Sequence, residues 1–430
     1  MAKICLTLPT NRACAPMVTA VCAEAAHAVH HFGVDVVLLV LDSSDDESFA
    51  GHAAALRSAE LPEAVSVLHL DEERQRTFLH EIAGGDGALL DLLLPTGVSY
   101  GACTNRAFLY AASLGCRSVH RRDSDSGYQV FRGVEVFPIH QELAALGRRA
   151  SEVSTSEVDI DAAHLEKPVV LAGASFIGEL SVDVAEIREQ DAEVYQDIVG
   201  LWAPSWASGD EKRALVAESF VGAGREPFDG DRSVLALVDP MRVDMCNVSF
   251  HEVHEQVPLP PAVDTIGSDY FLLHLVRATR LPGVLHNRHI VNFHTPERKS
   301  GPGLVAYHLR LAKFFLSMPY LHVIYRGMAE LGEALLDDEH RVRAPVIAKL
   351  ARESVPLAQR ESADKIPSLV DAYRRLGGQY ADFADVLDER TSRLVDEAKV
   401  DIENFAVLTE AWERLVTSAR EIHRRRKTCD

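Results

Sequence analysis

Two carboxylates, Asp123 and Asp125, stand two positions apart in Arg121-Arg122-Asp123-Ser124-Asp125, at the end of a run that reads as a buried strand. An Asp-x-Asp at a strand end can offer one or both carboxylates to a hard divalent ion such as Mg²⁺ or Mn²⁺, and the ion can hold the phosphates of a nucleotide. The pattern alone is weak, because a chain with 64 acidic residues contains many acidic pairs and most such pairs are solvated loop ends. Its weight comes from other groups that the chain order brings to similar positions. Arg12 follows a first strand in the loop Pro9-Thr10-Asn11-Arg12, and Asp42 ends a second. Asn105 and Arg106 lie on a helix fed by the turn-rich loop Pro95 to Gly101. Asp269 opens a later helix, and His294 follows a later strand with Arg298 and Lys299 beside it.

The elements that must position these residues follow from residue pattern. Residues 2 to 8 form a short apolar run, and a helix is expected from about Ala15 to His31. Val34 to Leu41 is apolar except for Asp35, the mark of a parallel strand buried on both faces. A helix over about Glu47 to Ala59, a strand over Val65 to Leu70 and a polar helix from Asp71 to Ile82 continue the alternation. The front half is therefore α/β with a mostly parallel sheet, and ligands of such sheets bind outside the carboxyl ends of the strands. Arg12, Asp42 and Asp123 all fall at such ends.

Further along, Thr104 to Leu114 reads as a helix closed by Gly115, and Gly97 and Gly101 would let backbone approach a ligand closely. A plain loop and cap is the simpler reading of that stretch, and the Gly-Lys-Ser/Thr ending of a Walker-type loop is missing. Val169 to Ile177 reads as one strand and Val184 to Trp202 as one helix, and residues 203 to 233 read as a mobile flap. Ser268 or Asp269 would cap the helix that follows Gly267. From about Leu304 the pattern changes to helices alone, over roughly Arg341 to Ala358, Ala363 to Leu376, Tyr380 to Val400 and Asp401 to Ile422. This divides the chain into a catalytic α/β unit, residues 1–300, and a helical C-terminal region, residues 301–430.

Composition bounds the partners. The net charge of −20 opposes non-specific binding to nucleic acid, while leaving room for an anionic small ligand in a local basic pocket. Seven cysteines are scattered without a CxxC pair, against a zinc site or disulfide framework. No apolar run suggests a bilayer span and no signal-peptide pattern opens the chain, so a soluble cytoplasmic protein is the expectation.

Together the groups fit glycosyl transfer, which needs a neutralised nucleoside-diphosphate leaving group and a carboxylate near the acceptor hydroxyl. On this reading Asp42 accepts from the base or ribose and Pro9, Thr10 and Arg12 wall the same pocket. Asp123 and Asp125 hold the ion with His294, Arg298 and Lys299 neutralise the departing phosphate, and Asp269 faces the acceptor.

The order of these motifs resembles glycosyltransferases of the GT-A fold, and among them the mannosylglycerate synthase type. The likeness lies in Tyr100-Gly101-Ala102-Cys103-Thr104-Asn105, in Ser268-Asp269 at a helix start, and in His294 ahead of a helical region. It covers about residues 2 to 320 at the level of motif order. The resemblance implies a Rossmann-like GT-A sheet, Mn²⁺ or Mg²⁺ on Asp123, Asp125 and His294, an acceptor served by Asp269, and a nucleoside-diphosphate sugar as donor. It departs before Asn105, where the family's Gly-Lys-Gly-Asp-Gly reads Gly-Val-Ser-Tyr-Gly, so neither mannose nor GDP is carried over. The acceptor would be small and soluble, such as a secondary-metabolite core. Two other readings share the scaffold. One is a nucleotidyltransferase, opposed by the lack of a glycine-rich basic loop after the first strand. The other is a non-catalytic binding protein whose helical region forms a homodimer.

Overall fold

The computed structural model describes residues 2–293 and 300–429. The expected architecture holds: a large, mostly parallel mixed sheet with helices around it, then a helical C-terminal region. The strands are β1 (Lys3–Thr10), β2 (Asp35–Asp42), β3 (Val65–Leu70), β4 (Ser118–Arg122), β5 (Ser126–Tyr128), β6 (Val130–Phe131) and β7 (Val134–Glu135). They continue with β8 (Glu157–Asp159), β9 (Leu171–Gly173), β10 (Phe176–Gly178), β11 (Ser233–Ala236), β12 (Asn247–His251), β13 (Gly283–His286) and β14 (Ile290–Asn292). The main sheet runs β3-β2-β1-β4-β12-β9-β13-β11-β8, and β10-β14-β5 form a small second sheet.

The strand order has a direct consequence. β1, β2 and β3 progress outward in parallel, and the chain then returns to lay β4 on the other side of β1, also in parallel. The reversal opens a crevice at the carboxyl ends of β1 and β4, where open α/β sheets take their ligands. Arg12 and Asp123 are at its two lips.

Local chemistry sets the elements. β2 is Asp-Val-Val-Leu-Leu-Val-Leu-Asp, with every residue after the first buried, as a central parallel strand requires. The helix Ala15–Phe32 has Pro16 in its first turn and stops at Gly33, whose φ of 61° lets its N–H reach the Val29 carbonyl. The helix Tyr100–Leu114 is capped by Ser99, whose Oγ accepts from the Ala102 N–H at 3.2 Å. Gly101 in that helix approaches protein and not a ligand. A Cβ there would stand 1.9 Å from the Pro260 carbonyl oxygen, so only glycine lets the helix lie on the 257–262 segment. Gly97 likewise faces the side chains of Val263 and Asp264.

Several expected elements divide or merge. The run 169–177 is two short strands serving different sheets, and 184–202 breaks at Asp191, which caps a second helix, Ala192–Val199. The flap region contains the helix Gly209–Glu218, started by a Ser208/Glu211 capping box. Conversely, 344–376 is one helix despite Pro356 and Pro367, and the last helix runs Thr391–Cys429. The expected break between Ala358 and Ala363 is absent, and the helix also runs through both prolines, because packing of an apolar face overrides local propensity. One core continues from sheet residues such as Val37 and Leu39 to Leu316, Tyr373 and Trp412 in the C-terminal helices. Among the described residues no helix is long and apolar enough to cross a membrane.

Gly101→Ala should cost at least about 3 kcal/mol, because its methyl meets backbone that cannot rotate away. Urea unfolding reads this directly, and a midpoint equal to the wild type would contradict the packing described.

Candidate active site

β4 builds the site by alternation. Successive side chains of a strand point to opposite faces, so Ser118, His120 and Arg122 project one way and Val119 and Arg121 the other. On the first face Arg122, fully buried, donates to both Glu24 oxygens at 2.8 and 3.0 Å and to Glu142 at 3.0 Å. His120 bonds Glu142 at 2.7 Å, and Ser118 bonds His120 at 2.9 Å. Burial would raise Glu142, but Arg122 and His120 hold it below the usual carboxylate range. This network ties the helices Ala15–Phe32 and Ile139–Ala145 to β4, which ends immediately before Asp123.

On the second face Arg121, also buried, donates to Asp123 at 3.0 Å and pairs closely with Asp269. Asp269 therefore does not cap its helix. That helix, Phe271–Ala278, starts after Tyr270 without a side-chain cap. Beside this pair, Arg12 donates to Asp125 at 3.2 Å. The Asp123 side chain keeps 26% of its exposure. Burial pushes its carboxyl up to about 6; Arg121 draws it down, and Asp125, Asp269 and Asp244 push it further up. The charge at this point is thus surplus negative in spite of two arginines. Hard carboxylate oxygens in surplus at a cavity wall are a donor set that fits Mg²⁺ or Mn²⁺.

Two cavities meet here. The first, about 340 Å³, is lined by Pro9, Thr10, Arg12, Ser43 and the 94–99 loop, with Arg106 and Arg310. The second, about 190 Å³, is lined by Asp269 and Asp244 and by an aromatic wall that includes Trp202, Phe220 and Phe314. Tyr100, Arg121, Asp123 and Asp125 belong to both. The first turn of the helix Tyr100–Leu114 borders the larger cavity through Ser99, Tyr100 and Cys103. Arg310 comes from the helix Gly301–Leu331, and its buried Nε has no partner among the described residues. Arg310, Tyr100 and the aromatic wall were absent from the expected site. Nothing in the local pattern of an apolar helix marks an arginine that reaches a cavity formed 200 residues earlier in the chain.

Two expected site residues, Asp42 and Asn105, need correction. Asp42 is 1% exposed and lines neither cavity. Its Oδ1 accepts from the N–H and Oγ of Ser44 at 3.0 and 2.6 Å, and its Oδ2 bonds His52 and His69 at 2.7 and 2.8 Å. Burial would raise this carboxyl, but the bonds from His69, Ser44 and His52 hold it well below the usual range. Asp42, His52 and His69 bring three ligand-type atoms within 4.8 Å of one another. The Cys14 backbone N–H donates to His52 Nε2 at 2.9 Å, so the His52 proton sits on Nδ1, facing Asp42. A protonated Nδ1 donates and does not ligate, so the cluster is a hydrogen-bonded lock on the end of β2. Asn105 is fully buried and clamps Leu259, donating to its carbonyl and accepting from its N–H, both at 2.8 Å. It holds backbone and leaves nothing for a ligand. Arg106 is largely engaged by Gln75 and the Leu93 carbonyl, both at 2.8 Å, while still bordering the larger cavity. His294, Arg298 and Lys299 lie outside the described residues.

The sequence profile described as "Family of unknown function (DUF6271)" matches residues 2–428. No curated protein matches the chain in sequence. Among solved structures, it is similar to the mannosyltransferase PcManGT from Pyrobaculum calidifontis, solved in complex with GDP-Man and Mn²⁺, at 11% identity and a TM-score of 0.32, covering 95% of this chain and 86% of that one. It is similar to S. aureus TarS 1-349 at 12% identity and a TM-score of 0.32, covering 96% and 91%. For mouse xyloside xylosyltransferase 1 the values are 12% and 0.20, covering 45% and 60%.

The raised carboxyl has a measurable sign. Asp123 moves from 3.8 to about 6 on folding, so the stability linked to its protonated form is present below about pH 4 and is lost as pH rises through 6. At pH 8 the folded wild type carries a disfavoured charge that Asp123→Asn removes. The variant should then melt roughly 2–4 °C higher than wild type, with the gap narrowing as pH falls through 6. An equal or lower Tm at pH 8 would sink the surplus-charge description.

Proposed function

We propose that this chain, which belongs to the DUF6271 family, is a metal-dependent glycosyltransferase that moves a sugar from a nucleoside-diphosphate donor to a hydroxyl of a small acceptor. The observation that carries this reading is the junction itself: a polar, arginine-bordered cavity and an aromatic cavity share one wall, and that wall is Tyr100, Arg121, Asp123 and Asp125. Transfer between two bound substrates requires two compartments that meet where the charge changes.

The larger cavity suits the donor. Its basic groups, Arg12, Arg106 and Arg310, and the border of a helix N-terminus favour a diphosphate. Asp123 and Asp125 would hold the divalent ion, which would supply neutralisation of the leaving diphosphate. Asp269 opens on the smaller cavity, where it would orient the acceptor hydroxyl. Its Oδ2 is held by Arg121, which also holds Asp123, so one buried guanidinium fixes the spacing of donor-side and acceptor-side carboxylates.

A second reading draws on one observation. Both carboxylates of the Asp-x-Asp already carry an arginine partner that would compete with an ion for them, as suits a scaffold that binds ligands without turnover.

Calorimetric titration of UDP and GDP, with and without Mn²⁺, separates the two. Metal-dependent binding is expected for one of them, lost in a folded Asp123→Ala/Asp125→Ala variant. Failure of these and of ADP and dTDP would sink the transferase reading; donor binding without turnover across an acceptor panel would favour the scaffold. Because Asp123 must ionise to ligate, Mn²⁺ affinity should fall about tenfold between pH 7.5 and pH 5. Arg310→Ala should weaken nucleotide binding about tenfold or more, and unchanged affinity would remove Arg310 from the donor site.

A further inference from the structure

We infer that the smaller cavity takes an uncharged, ring-bearing hydroxylated molecule and rejects an anionic one. The word acceptor rests on the transferase reading above; the chemistry of the cavity does not.

Charge is the first observation. Among the described residues lining this cavity stand five carboxylates, Asp123, Asp125, Glu218, Asp244 and Asp269, against one guanidinium, Arg121. Arg121 is already shared between Asp123 and Asp269. His274 is the lining histidine, and burial lowers it to about 4, so it is neutral near pH 7. A divalent ion on Asp123 and Asp125 still leaves the balance negative. A carboxylate or phosphate entering here would give up water and find no free cation among these residues.

Shape and surface are the second. The Trp202 and Phe220 rings stack with centroids 5.2 Å apart and planes at 10°, and Phe314 meets Trp202 at 5.6 Å and 67°. Tyr325 and His274, which also line the cavity, stack at 3.9 Å and 12°. Met241, Met245 and Met318 line the same cavity. Aromatic faces and adaptable thioethers recognise a flat apolar body, and the carboxylates at one end recognise its hydroxyl.

Backbone strain is the third. Phe220 is held at φ 65°, a left-handed conformation that bulky side chains avoid. Glycine would occupy this position without steric strain, so phenylalanine carries a local penalty here. What it gains is a place in the cavity wall.

The test needs neither donor nor metal. 2-Naphthol and its carboxylate counterpart, 6-hydroxy-2-naphthoate, are titrated into the full chain, read by calorimetry and by quenching of tryptophan emission. 2-Naphthol should bind, and the carboxylate should bind at least about tenfold more weakly. Phe220→Gly relaxes the backbone and removes the ring, so it should keep its far-UV circular dichroism and lose at least about tenfold in naphthol affinity. Met241→Lys, at a half-buried lining position, should narrow the gap between the two probes. Equal or tighter binding of the carboxylate, no binding of naphthol, or wild-type affinity in Phe220→Gly would each overturn the inference. Nucleotide titration reports separately on the donor reading. Naphthol binding without any nucleotide binding keeps this inference and sinks that one; the reverse outcome keeps the transferase and sinks the apolar acceptor.

Discussion

Arg122 is the residue on which the site depends, although it touches neither cavity. A guanidinium fully out of water is tolerable only when paired and hydrogen-bonded. Here it is held by Glu24 from one helix and Glu142 from another, with Glu24 also accepting from the Ile139 N–H and the Tyr128 hydroxyl. The Tyr128 bond reaches into the small sheet, and the Ile139 bond reaches the start of the second helix. Each partner is expensive to leave alone, so the arrangement is specified more sharply than apolar contact would specify it. The carboxyl end of β4 is thereby fixed, and with it the exit direction of Asp123 to Asp125.

From this fixed strand end the site follows with few further requirements. The reversal of strand order opens the crevice, alternation along β4 sends Arg121 to the cavity side, and Arg121 draws Asp123 and Asp269 together. Asp269 comes from a segment nearly 150 positions later in sequence. The excess of carboxylate over arginine at this point is a cost the fold carries at rest. Such cost is commonly stored where a cation or a reacting group is to be received.

The front of the fold was legible because central parallel strands write themselves as unbroken apolar runs: β2 and β3 lie within a residue of expectation. Asp123 and Asp125 were legible because they end such a run. Asp42 ends one too, yet His52 and His69 consume it, and no strand pattern discloses which carboxylates have partners. Asn105 looked like a ligand-facing group at a helix start, but its partner, Leu259, is 154 positions away. Helix boundaries failed where a short polar stretch reads as a joint and a continuous buried face carries the helix through it, as between Ala358 and Ala363. The aromatic wall was illegible for a related reason. Trp202, Phe220 and Phe314 come from three separate segments, and only tertiary packing makes them one surface.

The helix Gly301–Leu331 borders both compartments, with Arg310 on one and Phe314, Met318 and Tyr325 on the other. Less than one turn separates Arg310 from Tyr307, which faces the aromatic cavity, and one turn separates it from Phe314. A rod of this kind cannot adjust to one occupant without presenting a changed surface to the other. Two molecules bound against a common wall therefore share a coupling free energy. By linkage, the factor by which the first alters the affinity of the second equals the factor by which the second alters the first.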